Sequence, residues 1–145
     1  MFDKALAEPE PVSQENSDAV RILAVDDDEG HLAALEHRLR QHGYRVLTAS
    51  TAAQAKQLAW SHETDLVLLD LRLPDQDGFE LCAELADHPR TCGIPIIVIS
   101  GLDSPDIVRQ TRSSGGSYYV RKPYDPNVVL ALIEQALGED TQPDW

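Results

Sequence analysis

Five polar residues draw attention because each stands at or just past the end of a largely apolar run. Asp26 and Asp27 follow ILAV at residues 22–25, Asp70 follows LVLL at 66–69, and Ser100 follows IIVI at 96–99. Lys122 follows YYVR at 118–121. A lone aspartate at a strand end commonly caps a turn, and a lone serine or lysine there merely ends a strand or meets solvent. Together they fit a different pattern, because chemistry in open α/β sheets gathers just past the carboxyl ends of the strands. Three carboxylates brought to ~5 Å at an effective dielectric near 20 repel by roughly 3 kcal/mol per pair, so the cluster calls for a cation. Oxygen-only donors, few in number and beside a possible phosphate, favour Mg²⁺ over Ca²⁺. The run Asp26-Asp27-Asp28-Glu29-Gly30 leads straight into a helix and lacks the spacing of an EF-hand loop. A carboxylate beside Mg²⁺, a lysine and a hydroxyl is equipped for phosphoryl transfer, with the carboxylate as nucleophile and an acyl phosphate as product. Metal and lysine would neutralise charge on the phosphoryl oxygens.

The elements that must position these groups alternate along the chain. The strands expected are residues 22–25, 45–49, 66–70, 94–99 and 117–121; the second is the most polar and belongs at an edge. Helices fall between them. Residues 30–41 carry Leu32, Leu35 and Leu39 at helical spacing, with Gly43 as the stop. Ser50 is expected to cap a helix with an inner face of Ala52, Ala55, Leu58 and Ala59, and Asp77 one with Phe79, Cys82 and Leu85 inward. Ser104-Pro105-Asp106 reads as a helix start, ended by Gly115 and Gly116. Asp125-Pro126 opens the last helix, with Val129, Leu132, Ile133 and Ala136 on one face. Strict strand–helix alternation predicts a parallel sheet covered on both faces.

A chain of 145 residues suits one domain with a single core, and its 42% apolar content excludes a disordered one. The net charge of −13 argues against direct binding of nucleic acid, which needs clustered Lys and Arg. The acidic N-terminus has no apolar segment of the kind that directs secretion, and no stretch reaches membrane-span length. A cytoplasmic location without membrane insertion is therefore expected, with Cys82 and Cys92 as reduced thiols outside any metal pattern. Of the five histidines, His31 alone lies near the acidic loop; all five are expected at the surface.

Four segments carry a family resemblance: ILAVDDD at 22–28, DLRLPDQDG at 70–78, IIVISG at 96–101 and GGSYYVRKPY at 115–124. In order and at these intervals, residues 20–138 resemble the receiver domain of two-component response regulators, as in the chemotaxis receivers. The resemblance implies a doubly wound, five-stranded parallel α/β sheet of flavodoxin-like order 2-1-3-4-5, forming a single domain. Residues 1–19 would be an acidic, flexible tail with a short helix near Phe2 to Leu6 able to dock elsewhere, and 139–145 a short C-terminal tail. With no output domain, the chain would be a stand-alone regulator or an excised receiver.

The resemblance also implies roles. Asp70 would accept a phosphoryl group from the histidine of a partner kinase or phosphotransfer protein. Asp27 and Asp70 would bind Mg²⁺ directly, with the Arg72 backbone carbonyl as third ligand and Asp26 acting through water. Lys122 would pair with the phosphoryl oxygens. Ser100 would be drawn to the phosphoryl group and Tyr119 would turn inward behind it, altering the face of helix four, strand five and helix five that a downstream protein reads. Tyr119 as a permanently buried core residue is an open alternative. The Lys122-Pro123 bond would be cis, as is frequent in this family. Such a domain catalyses only its own phosphorylation and dephosphorylation and is not otherwise an enzyme.

Two departures bear on function. Arg72 overhangs the site and is expected to alter the lifetime of the phosphorylated state. Tyr118 beside Tyr119 should leave one of the two exposed, since strand neighbours face opposite ways. Two rival readings stay open: a degenerate receiver acting as a phosphorylation-independent scaffold, and a Mg²⁺-dependent phosphatase using Asp70. The second is weakened by Arg72, where the haloacid dehalogenase pattern wants a second aspartate.

Overall fold

A computed structural model of the chain describes residues 19–139. Ten elements alternate: β1 (Arg21–Val25), α1 (Glu29–Gln41), β2 (Arg45–Ala49), α2 (Ala52–Ser61), β3 (Leu66–Asp70), α3 (Gly78–Asp87), β4 (Ile96–Ser100), α4 (Ile107–Ser113), β5 (Tyr118–Arg121) and α5 (Pro126–Glu139). The strands form one parallel sheet in the order β2-β1-β3-β4-β5, the flavodoxin-like order expected. β3 lies at its centre with all five residues buried, which is why its sequence is an unbroken apolar run.

The two-residue period of the strands divides the core. Ile22, Ala24, Leu66 and Leu68 pack on one side with Leu35 and Leu39 of α1 and Ile133 of α5. Leu23, Val25, Val67 and Leu69 pack on the other with Ala55 of α2 and Leu81 and Leu85 of α3. Each fully buried leucine contributes about 1.5–3 kcal/mol. In-phase pairing (Val25 with Leu69, Asp70 with Ile99, Ser100 with Arg121) aligns the strand ends. That alignment gathers the polar residues at one edge.

Several local expectations are corrected. Thr51, not Ser50, caps α2: its hydroxyl accepts from the Gln54 amide at 3.1 Å, while the Ser50 amide donates to the Gln54 side chain at 3.0 Å. Asp77 occupies the cap position of α3 without a side-chain cap bond, Leu81 is buried, and Phe79 is only half-buried. Ser104-Pro105-Asp106 forms a turn in which the Ile107 amide donates to the Ser104 carbonyl at 3.1 Å, so α4 starts later than its sequence suggests. β4 begins at Ile96 because the Ile94 amide bonds back to Thr91 at 3.1 Å, and β5 begins at Tyr118. On α5, Leu130 is buried where Leu132 was expected, and Leu132 packs half-buried against the core. The expected helix at Phe2 to Leu6, most of the N-terminal tail and residues 140–145 lie outside the described residues.

Candidate functional site

The turn from β1 to α1 supplies two carboxylates in different settings. Asp26 is 3% exposed, and Asp27 faces solvent. Asp26 Oδ1 accepts from the Asp28 amide at 3.0 Å; its Oδ2 meets His31 Nδ1 at 2.5 Å and Lys122 Nζ at 3.4 Å. Asp28 caps α1 by accepting from the His31 amide at 3.1 Å, which fixes how the first helical turn leaves the site. Asp70, 5% exposed, accepts from the Arg72 amide at 2.8 Å and contacts the Lys122 ammonium through Oδ2. One carboxylate oxygen each from Asp26, Asp27 and Asp70 fall within 4.8 Å of one another. The donor set is hard, oxygen-only and compensated by a single lysine, which suits a divalent cation such as Mg²⁺.

Burial raises the Asp70 carboxyl above the ordinary aspartate range, and the charge of Asp26 adds to this, against the opposing pull of Lys122 and the Arg72 amide. Burial would raise Asp26 too, but the Asp28 amide, the His31 ring and Lys122 together hold it below the usual value. Burial alone would lower Lys122; its contacts with Asp70 and Asp26 win, and its ammonium is held above the normal lysine range. In all three groups burial is set against close pairing: pairing prevails at Asp26 and Lys122, and burial prevails at Asp70.

Ser100, 1% exposed, ends β4 with its hydroxyl accepting from the Leu102 amide at 3.0 Å and its carbonyl accepting from the Lys122 amide at 2.8 Å. The Tyr119 hydroxyl lies 3.2 Å from the Ser100 carbonyl and 3.1 Å from that of Leu102, joining β5 to the β4–α4 loop. The Lys122-Pro123 bond is cis, as expected. Arg72 brings its amide to Asp70, pairs with Asp77 in an isolated antiparallel β-bridge of the backbone, and has an exposed side chain. Asp26, Asp27, Asp70 and Lys122 therefore converge, with Ser100 and Tyr119 linked to them through the backbone.

Neither of the adjacent tyrosines stands free. Tyr118 packs against the α1–α5 core and Tyr119 against the opposite one, both half-buried, because each face of β5 is covered. Nor are all histidines at the surface. His31 is half-buried against Asp26, and His88 stacks on Trp60 with centroids 4.3 Å apart. Three contributors were not assigned from sequence: His31 as a partner of Asp26; Tyr124, whose hydroxyl lies 3.2 Å from His31 Nε2; and Asp75, whose carboxylate accepts from the Ala52 and Ala53 amides at 2.8 and 3.0 Å. The triple aspartate before a helix signals an N-cap and places His31 within five residues of Asp26 without showing their contact. The pairings of Tyr124 with His31 and of Asp75 with the α2 amides cross 93 and 22–23 residues and have no local signature.

The sequence and fold both have known relatives. A family model of the response regulator receiver domain matches residues 22–134. The response regulator PleD of Caulobacter vibrioides is 36% identical over 115 residues, covering 79% of this chain and 25% of PleD. The transcriptional regulatory protein KdpE of Mycobacterium tuberculosis is 38% identical over 121 residues, covering 83% of this chain and 52% of KdpE. The chain thus spans between a quarter and about half of these curated relatives. Among solved structures, a CheY-like receiver domain protein from Methanospirillum hungatei superposes with a TM-score of 0.80 at 30% identity, covering 85% of this chain and 97% of that one. The chemotaxis protein CheY4 of Vibrio cholerae gives 0.78 at 25% identity, covering 82% of this chain and 99% of its own.

Proposed function

This chain belongs to the response regulator receiver domain family of two-component signalling, and we propose that it is a working phosphoacceptor rather than a scaffold. The observation that carries the reading is the contact of the Lys122 ammonium with Asp70 inside a cluster of three converging carboxylates. A scaffold has no use for buried like charges held together at this cost.

An Asp70 oxygen attacks the phosphorus of a phosphohistidine presented by a kinase or phosphotransfer protein. The O–P bond forms as the P–N bond breaks, and the electron pair leaves on the imidazole. Lys122 neutralises charge on the phosphoryl oxygens, and the Arg72 amide orients the attacking carboxylate. Asp27, Asp70 and the Arg72 carbonyl would hold Mg²⁺, with Asp26 reached through water; when bound, the ion supplies charge neutralisation to carboxylates and phosphoryl group alike. Ser100 exchanges its bond to Leu102 for one to the phosphoryl group, and Tyr119 follows, because its hydroxyl rests on the carbonyls of Ser100 and Leu102. The readout is the face of α4, β5 and α5; exposed apolar residues occur on α4 (Val108), on α5 (Val128) and in the β4–α4 loop (Leu102). A protein is the partner there, and the cytoplasm is the compartment; among the described residues no helix is long and apolar enough to cross a membrane. Residues 20–138 act as the receiver, and the exposed Arg72 side chain sets the phosphoryl lifetime.

Incubation with acetyl phosphate and Mg²⁺, followed by intact mass, tests the reading. The wild type gains one phosphoryl group and Asp70→Asn gains none. An unlabelled wild type would favour the scaffold.

A further inference from the structure

His31 closes a ring of contacts around the site. Its Nδ1 meets Asp26 Oδ2 at 2.5 Å, and its Nε2 meets the Tyr124 hydroxyl at 3.2 Å. Tyr124 follows Lys122 by two residues, and the Lys122 ammonium returns to the same Asp26 oxygen at 3.4 Å. The rings of His31 and Tyr124 also touch, with centroids 5.6 Å apart. Helix α1 is thereby tied to the loop after β5 through a buried carboxylate.

The chemistry of the donors fixes how this ring is wired. An ionised carboxylate only accepts, so the proton between His31 and Asp26 sits on Nδ1. In a neutral imidazole Nε2 is then an acceptor, and the Tyr124 hydroxyl donates to it. Asp26 has two oxygens, one taken by the Asp28 amide and the other contested by His31 and Lys122. Without His31, Oδ2 would turn to the ammonium as its remaining donor and draw Lys122 away from Asp70.

We propose that His31 and Tyr124 are positioning residues: they occupy Asp26 Oδ2 from the α1 side, hold that carboxylate in the cation-binding cluster, and leave Lys122 to Asp70. The proposal deepens the phosphoacceptor reading and rests on it for its kinetic part. Its structural part, the wiring of the ring and its effect on cation binding, stands independently.

Three measurements separate them. In ¹⁵N-labelled protein at pH 8 without phosphodonor, the His31 ring should show a pyrrole-type Nδ1 and a pyridine-type Nε2, and Tyr124→Phe should relax that preference. Calorimetry with Mg²⁺ alone should give about ten-fold weaker binding for His31→Ala, the low end of what losing an outer-shell partner costs. His31→Asn, which can still donate from the position of Nδ1, should restore most of the affinity, a rescue that a merely space-filling role does not predict. With acetyl phosphate, His31→Ala should lower the maximal labelling rate several-fold, and His31→Asn should recover it. An Nε2-protonated tautomer, or Mg²⁺ affinity unchanged in His31→Ala, overturns the proposal, even if Asp70 is phosphorylated. A wild type that cannot be labelled but shows the tautomer and the Mg²⁺ effect would sink the phosphoacceptor reading and leave the ring standing. Should His31→Ala fail to fold, Tyr124→Phe carries the same test with a smaller loss of affinity, and no loss there overturns the proposal.

Discussion

The Lys122 ammonium contacts the Asp70 carboxylate while lying 3.4 Å from Asp26, so one cation serves two buried carboxylates. Lys122→Met removes that charge and should act in opposite directions on two measurements. Mg²⁺ binding by calorimetry should tighten several-fold, because a like charge has left the cluster. Labelling by acetyl phosphate should slow roughly ten-fold or more, the rate equivalent of about 1.4 kcal/mol or more of lost charge neutralisation. Equal losses in both would mean that the side chain only supports the fold.

Asp70 is held above the ordinary aspartate range mainly by burial. The native state therefore binds its proton more tightly than the unfolded chain does, and stability falls as pH rises from the unfolded value through the native one. Asp70→Asn removes this penalty. Its melting temperature should match or trail that of the wild type below about pH 4, the ordinary aspartate value, and exceed it at pH 7. Added Mg²⁺ should raise the wild-type melting temperature and leave the variant nearly unmoved. Thermal unfolding from pH 3 to 8, with and without Mg²⁺, checks both.

The parts of this site readable from sequence were those with a local signal. β3 announced itself because burial on both faces demands an uninterrupted apolar run, and Asp70 because a carboxylate ended it. Asp26 and Lys122 were legible for the same reason, and parallel pairing then carried them to one edge. The pairing of His31 with Asp26 was not legible, since it depends on how α1 leaves its Asp28 cap. α4 was misjudged because a serine, a proline and an acid satisfy a turn as well as a helix start, and here the backbone makes the turn first. One of Tyr118 and Tyr119 is expected in solvent because alternation gives them opposite faces, but alternation does not reveal that both faces are covered.

Gly78 begins α3 where the chain doubles back on the β3–α3 loop. A Cβ there would sit 2.4 Å from the Leu71 Cα and 2.6 Å from its carbonyl oxygen, backbone atoms with no rotamer to yield. Gly78→Ala should cost about 1–3 kcal/mol in chemical denaturation, the usual range for overpacking. Because Arg72 follows Leu71, the same change should weaken Mg²⁺ binding. Unaltered stability would show that the loop can slide to make room.

Asp75 joins the β3–α3 loop to α2 across 23 residues of sequence, its two carboxylate oxygens accepting from the Ala52 and Ala53 amides. These are orphan donors at the positive end of the helix, so the carboxylate is favoured by both hydrogen bonds and dipole. The two amides hold Asp75 below the ordinary aspartate range, with Lys56 adding a smaller pull. A depressed carboxyl stabilises the fold above the unfolded value and loses that contribution as pH falls through the native one. Asp75→Ala should therefore melt below the wild type at pH 7, and the gap should close as pH drops well under about 4. Hydrogen exchange gives the local check: the Ala52 and Ala53 amides should exchange several-fold faster in the variant, while those of β3 stay protected. Protection retained at both amides would mean that water or Thr51 replaces the carboxylate, and that the loop and α2 are not coupled through this residue.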